Sequence, residues 1–318
     1  MRVTTVIICI GLLIIKPVQA YDLPAVNLGF TSFLDGAPPA GQGLYFSQYI
    51  QYWNPDKFAD KNGDKLLPSF ADESLDAWIS LSQFIYQSDQ EVLFGGKWGL
   101  DLIIPYISLD QDYGVSNSFG FPEDNGSGLG DIVIGPYLQW DPVMGENGPV
   151  FMHRIELQFI LPSGKYDKNK ELNPGSNFFS FNPYWAATLF VTPKITASTR
   201  VHYLWNAKNT DPNRNLVAIG ASNTQAGQAI HLNLDVAYEV LPKQLRIGIN
   251  AYYLKQISDT QINGKDVAGR REQVLGIGPG AVYHFSQNDH VFFNYYFETL
   301  AENRPYGDRV NLRFVHHF

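Results

Sequence analysis

The chain has one cysteine, Cys9, and it lies within the first twenty of 318 residues. Beyond residue 20 there is no disulfide, no thiolate nucleophile and no cysteine-based metal site. Charge is scarce as well. Asp, Glu, Lys and Arg make up 17%, against about 25% in ordinary soluble domains. Basic residues are the smaller share, 23 against 31 acidic, for a net charge of −8. No basic stretch stands out, so nucleic acid is not an expected partner. After residue 20 no run of 18 apolar residues occurs, so no transmembrane helix is expected. Aromatic residues are abundant: 21 Phe, 18 Tyr and 6 Trp. That content rules out disorder and, at this length, provides a sizeable core.

The first twenty residues read as a cleaved signal peptide. Arg2 is a short positive region, Val6 to Ile15 is an apolar run too short to span a bilayer, and Val18-Gln19-Ala20 suits a cleavage site. Lys16 and Pro17 interrupt the run and argue against an uncleaved anchor. Cleavage after Ala20 removes Arg2 and Lys16, which takes −8 to −10. Residues 21–41 then form an N-terminal periplasmic segment, a possible plug, and 42–318 the main domain.

Period-two alternation runs through that domain. It gives twelve strands, at about 42–53, 74–87, 94–109, 129–140, 149–162, 177–192, 194–207, 226–241, 244–257, 272–286, 290–301 and 308–318. Long polar connections alternate with short ones. One face of each strand is apolar and nearly uncharged, as in Trp98, Leu100, Leu102, Ile104 and Tyr106. The exception is Lys255, close enough to a strand end to snorkel. The fold class is all-β: a 12-stranded antiparallel transmembrane β-barrel of outer-membrane type, with long extracellular loops and short periplasmic turns. A secreted β-sandwich explains the alternation but not the alternating loop lengths or the terminal Phe318.

Local motifs carry a resemblance. They include Pro38-Pro39-Ala40-Gly41, Asp60-Lys61-Asn62-Gly63-Asp64, Gly128-Leu129-Gly130-Asp131-Ile132 and Gly135-Pro136. Leu161 to Asp167, Asn173 to Asn177, Phe181-Asn182-Pro183, Tyr252 to Gln256, Gly276 to Pro279 and Glu302 to Asp308 follow in order. Together they resemble the meta-pathway phenol-degradation-like family of outer-membrane channels, from about Pro38 to Phe318. Pro162-Ser163-Gly164 stands where family motifs usually have Pro-Thr-Gly. The resemblance implies a twelve-stranded barrel passing small, mostly apolar or aromatic compounds. It also implies a place in the outer membrane of a Gram-negative bacterium, with lipid and the barrel assembly machinery as partners.

The opposite strand faces point inward. Arg154, Glu156, Arg200, His202, Asp235, Glu239, Arg246 and Arg313 form the expected lumen charge network, toward the periplasmic side. Trp78, Ile107, Leu109, Ile160, Phe178, Leu204, Tyr252, Leu254, Tyr296 and Leu300 form an expected extracellular vestibule. The charges serve either as mutual structural pairs or as solute contacts, and the vestibule either binds solute or packs loops. Pro105, Pro136, Pro183 and Pro279 fall inside strands and predict bulges or breaks. Because Pro105 and Pro136 lie on neighbouring strands, the wall is either merely curved there or weak enough for sideways exit.

Chemistry is sparse. Asp60, Asn62 and Asp64 resemble the start of a calcium loop, but Lys65 and Ala71 stand where glycine and glutamate belong, with Asp72 and Glu73 following. No other cofactor is expected. Ser198, His202 and Asp235 are the components of a hydrolase, but no nucleophile elbow surrounds Ser198. No enzyme is expected. The alternative to apolar uptake is a channel for polar solutes such as nucleosides or sugars.

Overall fold

The structure is a computed structural model that describes residues 22–36, 41–67, 74–114 and 121–318. The proposed signal peptide, Pro38-Pro39 and Ala71 to Glu73 lie outside the described residues. The wall begins with three tall strands, β1 (Gly43–Phe58), β2 (Ser74–Leu93) and β3 (Gly96–Asp112). Then come β4 (Ser127–Leu129), β5 (Val133–Gln139), β6 (Val143–Gly145), β7 (Gly148–Glu156), β8 (Phe159–Ile160), β9 (Ser180–Phe181) and β10 (Tyr184–Phe190). After β11 (Ile195–Asn206), a loop carries helix α1 (Arg214–Ala218) and β12 (Thr224–Gln225). The chain continues through β13 (Ala229–Leu241), β14 (Leu245–Gln256), β15 (Thr260–Ile262) and β16 (Lys265–Val267). It closes with β17 (Gln273–His284), β18 (Asp289–Glu302) and β19 (Pro305–His317).

Neighbouring strands pair antiparallel, and β19 returns to β1, from Tyr45 opposite His317 to Phe58 opposite Pro305. Three staves are each split in two, as β4 with β5, β7 with β8, and β9 with β10, so the closed wall is a twelve-strand barrel. Among the described residues, no helix is long and apolar enough to cross a membrane. The small sheet of β12, β15 and β16 lies among the long loops. Along β1, Tyr45, Ser47, Tyr49, Gln51 and Trp53 are buried while Leu44 and Ile50 are exposed. This is the period-two pattern of a wall with an apolar outer face and a polar lumen.

Proline explains why three staves are split. The β3 ladder with β5 stops at Ile103 opposite Val133 and resumes with β4 at Tyr106 opposite Leu129, one residue out of register. Only Gly130 N–H donating to the Pro105 carbonyl (3.0 Å) spans the gap. At the next three interfaces the register is kept but the pairing stops. A single bond bridges each: Leu157 N–H to the Pro136 carbonyl (3.0 Å), Asn182 N–H to the Gln158 carbonyl (2.8 Å), and Tyr203 N–H to the Pro183 carbonyl (3.1 Å). Four consecutive interfaces are thus interrupted. Pro279 leaves β14 pairing intact and removes two pairs from β17–β18 without a shift.

The lumen is not empty. Residues 22–36 cross it without helix or strand, from the long-loop end at Asp22 to the short-turn end at Gly36. A chain with no ladder of its own must find other partners for its backbone groups. Here the wall supplies them. Gly29 N–H donates to Asn233 (2.9 Å), Phe33 N–H to Asp235 (2.8 Å), Leu34 N–H to Ser198 (3.1 Å) and Gly36 N–H to Thr188 (2.9 Å). Asn311 donates to the carbonyls of Gly29 and Phe30, and Arg313 to that of Ser32 (3.1 Å). Phe33 and Leu34 both have positive φ, 40° and 56°. Such strain at non-glycine residues persists only where the surroundings fix it, and the bonds to Asp235 and Ser198 do so.

Candidate functional site in the barrel lumen

The crossing segment divides the lumen. Near the short turns an open chamber of about 860 Å³ is lined by Arg154, Arg200, Arg246, Arg313, Asp35 and Glu239, among others. Beside the segment lies a smaller cavity of about 130 Å³, lined by Val26 and Phe30 of the segment and by Ile79, Leu81, Ile103 and Pro105 of the wall. A third space, about 150 Å³, opens among the long loops and shares Leu23, Trp53, Ile107 and Pro174 with the second. Tyr49, Gln83 and Arg200 line both the cavity and the chamber and separate them. They are tied in place. Tyr49 Oη donates to Gln83 (2.9 Å), Gln83 to Asp101 (2.6 Å), and Arg200 to Asp35 (2.6 and 2.7 Å).

The expected charge network faces the lumen at every position. Arg246 pairs with Glu239 at 2.6 Å near the short turns. Tyr184 Oη donates to Glu156 (2.5 Å), and the Arg200 guanidinium lies 4.2 Å from the Tyr184 ring. Arg154 lies over the rings of Tyr137 and Tyr184, and Arg313 over Phe292. His202 stacks on His231 with ring centres 4.1 Å apart. Asp235 and Ser198 hold the crossing segment, and no hydrogen bond joins Ser198 to His202 among the described residues. The three therefore do not form a proton relay.

Of the expected vestibule residues, Ile107, Leu109, Phe178, Leu204, Tyr252, Leu254 and Tyr296 point inward, as does Ile160. Phe178, Leu204, Tyr252, Leu254 and Tyr296 pack with Leu23 and Leu28 of the segment, so this part of the lumen is filled core. Trp78 is a correction. It is 53% exposed and faces outward beside Tyr52. Leu300 also faces outward, at a positive-φ kink. The reason for Trp78 lies in β2, where the polarity of the faces is inverted. Outward Ser80 and Ser82 bond to Gln48 on β1 at 2.9 Å each and satisfy one another. Inward Ile79 and Leu81 are apolar because they line the cavity.

Sequence reasoning missed several residues that organise the lumen. Asp35 is one, because a lone acid in an aperiodic segment carries no signal. Glu298 is another: its carboxylate accepts from Trp53 (2.8 Å), Tyr252 (2.7 Å), Arg309 (2.9 Å) and Gly307 N–H (2.9 Å). Ile79 and Leu81 were missed because the faces of β2 are inverted, and Ile103 because it is apolar on the inward face of a strand whose outward face, Trp98 to Tyr106, is apolar too. At the long-loop end, Glu272 accepts from the backbone N–H groups of Asp22 and Leu23 (2.8 and 3.0 Å), and Asp22 pairs with Arg270. Burial pushes the Glu272 carboxyl up to about 7, partly offset by Arg304.

The calcium candidate forms a tight turn. Asp60 accepts from the N–H groups of Asn62 (2.7 Å) and Asp64 (3.0 Å). Among the described residues, no three His, Cys, Asp or Glu side chains are grouped to hold a metal.

With this geometry in view, comparison with known proteins is specific. The family model described as "Putative MetA-pathway of phenol degradation" matches residues 55–314. The COG4313 outer membrane channel from Pseudomonas putida F1 is similar in structure, with a TM-score of 0.72 at 18% identity, covering 92% of this chain and all of that one. The toluene transporter TodX of Pseudomonas putida matches at a TM-score of 0.44 and 9% identity, over 93% of this chain and 98% of its own. The β-domain of the Bordetella autotransporter BrkA matches at 0.49 and 10%, over 87% and 100%. No curated protein sequence matches.

Proposed function

Because the chain belongs to this family of MetA-pathway phenol-degradation proteins, we propose that it is an outer-membrane channel for small, mostly apolar or aromatic compounds. Uptake is by passive or facilitated diffusion, without catalysis. The long loops face outward from the cell and the short turns face the periplasm. The chain is exported by a signal peptide cleaved after Ala20 and inserted by the barrel assembly machinery.

One observation carries the solute class: the cavity beside Val26 and Phe30. At about 130 Å³ it is close to an engineered cavity of about 150 Å³ that stays dry and binds benzene. Its wall side chains, Ile79, Leu81, Ile103 and Pro105, offer an apolar solute burial worth about 25 cal/mol per Å². A nucleoside or sugar would lose hydrogen bonds to water against this apolar face and could regain some only from polar groups elsewhere in the lining, such as Asn27, Gln83, Asp131, Gln158 and Asn182.

Reconstitution into liposomes tests the reading. Influx of toluene should exceed that of a nucleoside or a hexose by at least tenfold over protein-free vesicles. Ile79→Asn together with Ile103→Asn should remove the advantage. Equal influx of all three probes refutes the apolar reading.

A further inference from the structure

The cavity has no open way down. Between it and the periplasmic chamber stand Tyr49, Gln83 and the buried Arg200–Asp35 pair. An apolar solute moving straight through would have to part a paired charge and leave it unsatisfied, one of the costlier events inside a protein. It would then enter a chamber of about 860 Å³ that carries four arginines and is far wider than the cavity, so a small solute would be less closely enclosed there. The axial route suits neither the solute nor the wall.

The side of the cavity is different. Pro105, Asp131, Gln158 and Asn182 line it, and these residues sit at three of the four interruptions in the wall. Behind them one hydrogen bond spans the gap in each ladder: Gly130 to Pro105, Leu157 to Pro136, Asn182 to Gln158. Elsewhere the ladders are long. β1 and β2 pair without a break from Gly43 opposite Gln87 to Trp53 opposite Ala77. On the outer surface at the same place Phe159, Phe179 and Phe181 stack, with ring centres 5.3 and 6.2 Å apart. A largely apolar cavity, a wall whose ladders are interrupted and an external aromatic patch lie on the same side of the barrel.

Resting on the uptake reading above, we infer that apolar solute leaves the cavity sideways into the bilayer, through the interrupted wall between β3 and β10, and does not pass down the lumen. The prolines keep this stretch from zipping shut, since each removes a ladder donor. The Phe159–Phe179–Phe181 stack receives the solute on the lipid side. The crossing segment supplies the floor that turns the path outward.

Three proteins separate the alternatives, each in vesicles whose outer leaflet is lipopolysaccharide. The probe is N-phenyl-1-naphthylamine, which fluoresces on reaching the bilayer interior. The first protein is wild type. The second, Pro105→Val with Pro136→Val and Pro183→Val, restores ladder donors. The third, Leu34→Cys with Ser198→Cys, ties the periplasmic half of the segment to the wall by a disulfide.

Wild type should speed probe arrival at least tenfold over empty vesicles. The proline variant should lose at least five-fold of that rate while remaining folded by heat-modifiable mobility. The tethered protein should match wild type, oxidised or reduced. If the oxidised tether blocks arrival, the path is axial and the inference fails, even where the proline variant does not fold. Unchanged rates in a folded proline variant also overturn it. If wild type itself gives no acceleration, the uptake reading fails first.

Discussion

Both carboxylate oxygens of Asp35 accept from the Arg200 guanidinium, at 2.7 and 2.6 Å, and both side chains are buried. One belongs to the crossing segment and the other to β11, so this pair fastens the segment to the barrel above the arginine-rich chamber. Removing one partner strands the other charge. Arg200→Ala should destabilise the folded protein by about 3–5 kcal/mol, seen as a lower urea midpoint. Ion conductance in planar bilayers should rise several-fold. Asp35→Leu with Arg200→Met should cost less than Arg200→Ala alone, because no unpaired charge remains.

Glu298 gathers four donors from three places in the chain. Glu298→Ala should leave the Arg309 guanidinium, the Trp53 indole and the Tyr252 hydroxyl without this acceptor. A loss of about 3–5 kcal/mol is expected, read from the same urea titration. A variant within about 0.5 kcal/mol of wild type would show that the hub contributes little.

Gly29 has φ of +78°, and a Cβ there would lie 2.6 Å from Tyr296 and 3.0 Å from Tyr252. Neither ring has room to withdraw, because both are fully buried. Gly29→Ala should push the segment off its seat, at a cost of about 1–3 kcal/mol. Faster protease cleavage within residues 22–36 of the folded barrel is the measurement.

The segment's upper end should respond to acid. Burial holds Glu272 at about 7, above the usual carboxyl value of about 4.3. Between those two values the native state binds a proton that the unfolded chain does not, so stability rises as pH falls from about 7 toward about 4.5. The gain is up to roughly 3 kcal/mol. Thermal midpoints measured from pH 7.5 to 5 should climb, and Glu272→Gln should flatten the climb.

The barrel was legible because its outer face obeys a simple rule. Lipid rejects charge at every second residue, so Ile247, Ile249, Phe293 and Phe297 announce their own orientation. Trp78 was misplaced because β2 breaks that rule for a reason invisible locally. Its outward serines are satisfied by Gln48 on another strand, and its inward isoleucine and leucine face a cavity lined by residues from the crossing segment and from strands as distant in sequence as β3, β14 and β19. The prolines foretold interruptions correctly, but not that the wall keeps its register across most of them. Least legible was the path of residues 22–36. They have no periodicity, and their partners Asn233, Asp235 and Asn311 lie more than 200 residues away in sequence.

Those separations also set an order of events in folding. The bonds from Asn311 and Arg313 to the segment join residues about 280 apart, so they require β19 to be in place. β19 also closes the wall against β1. Contacts of such span form late, after the loops between them are ordered. The same strand thus closes the wall and grips the segment, so a change that loosens β19 against β1 should loosen the lumen's filling as well.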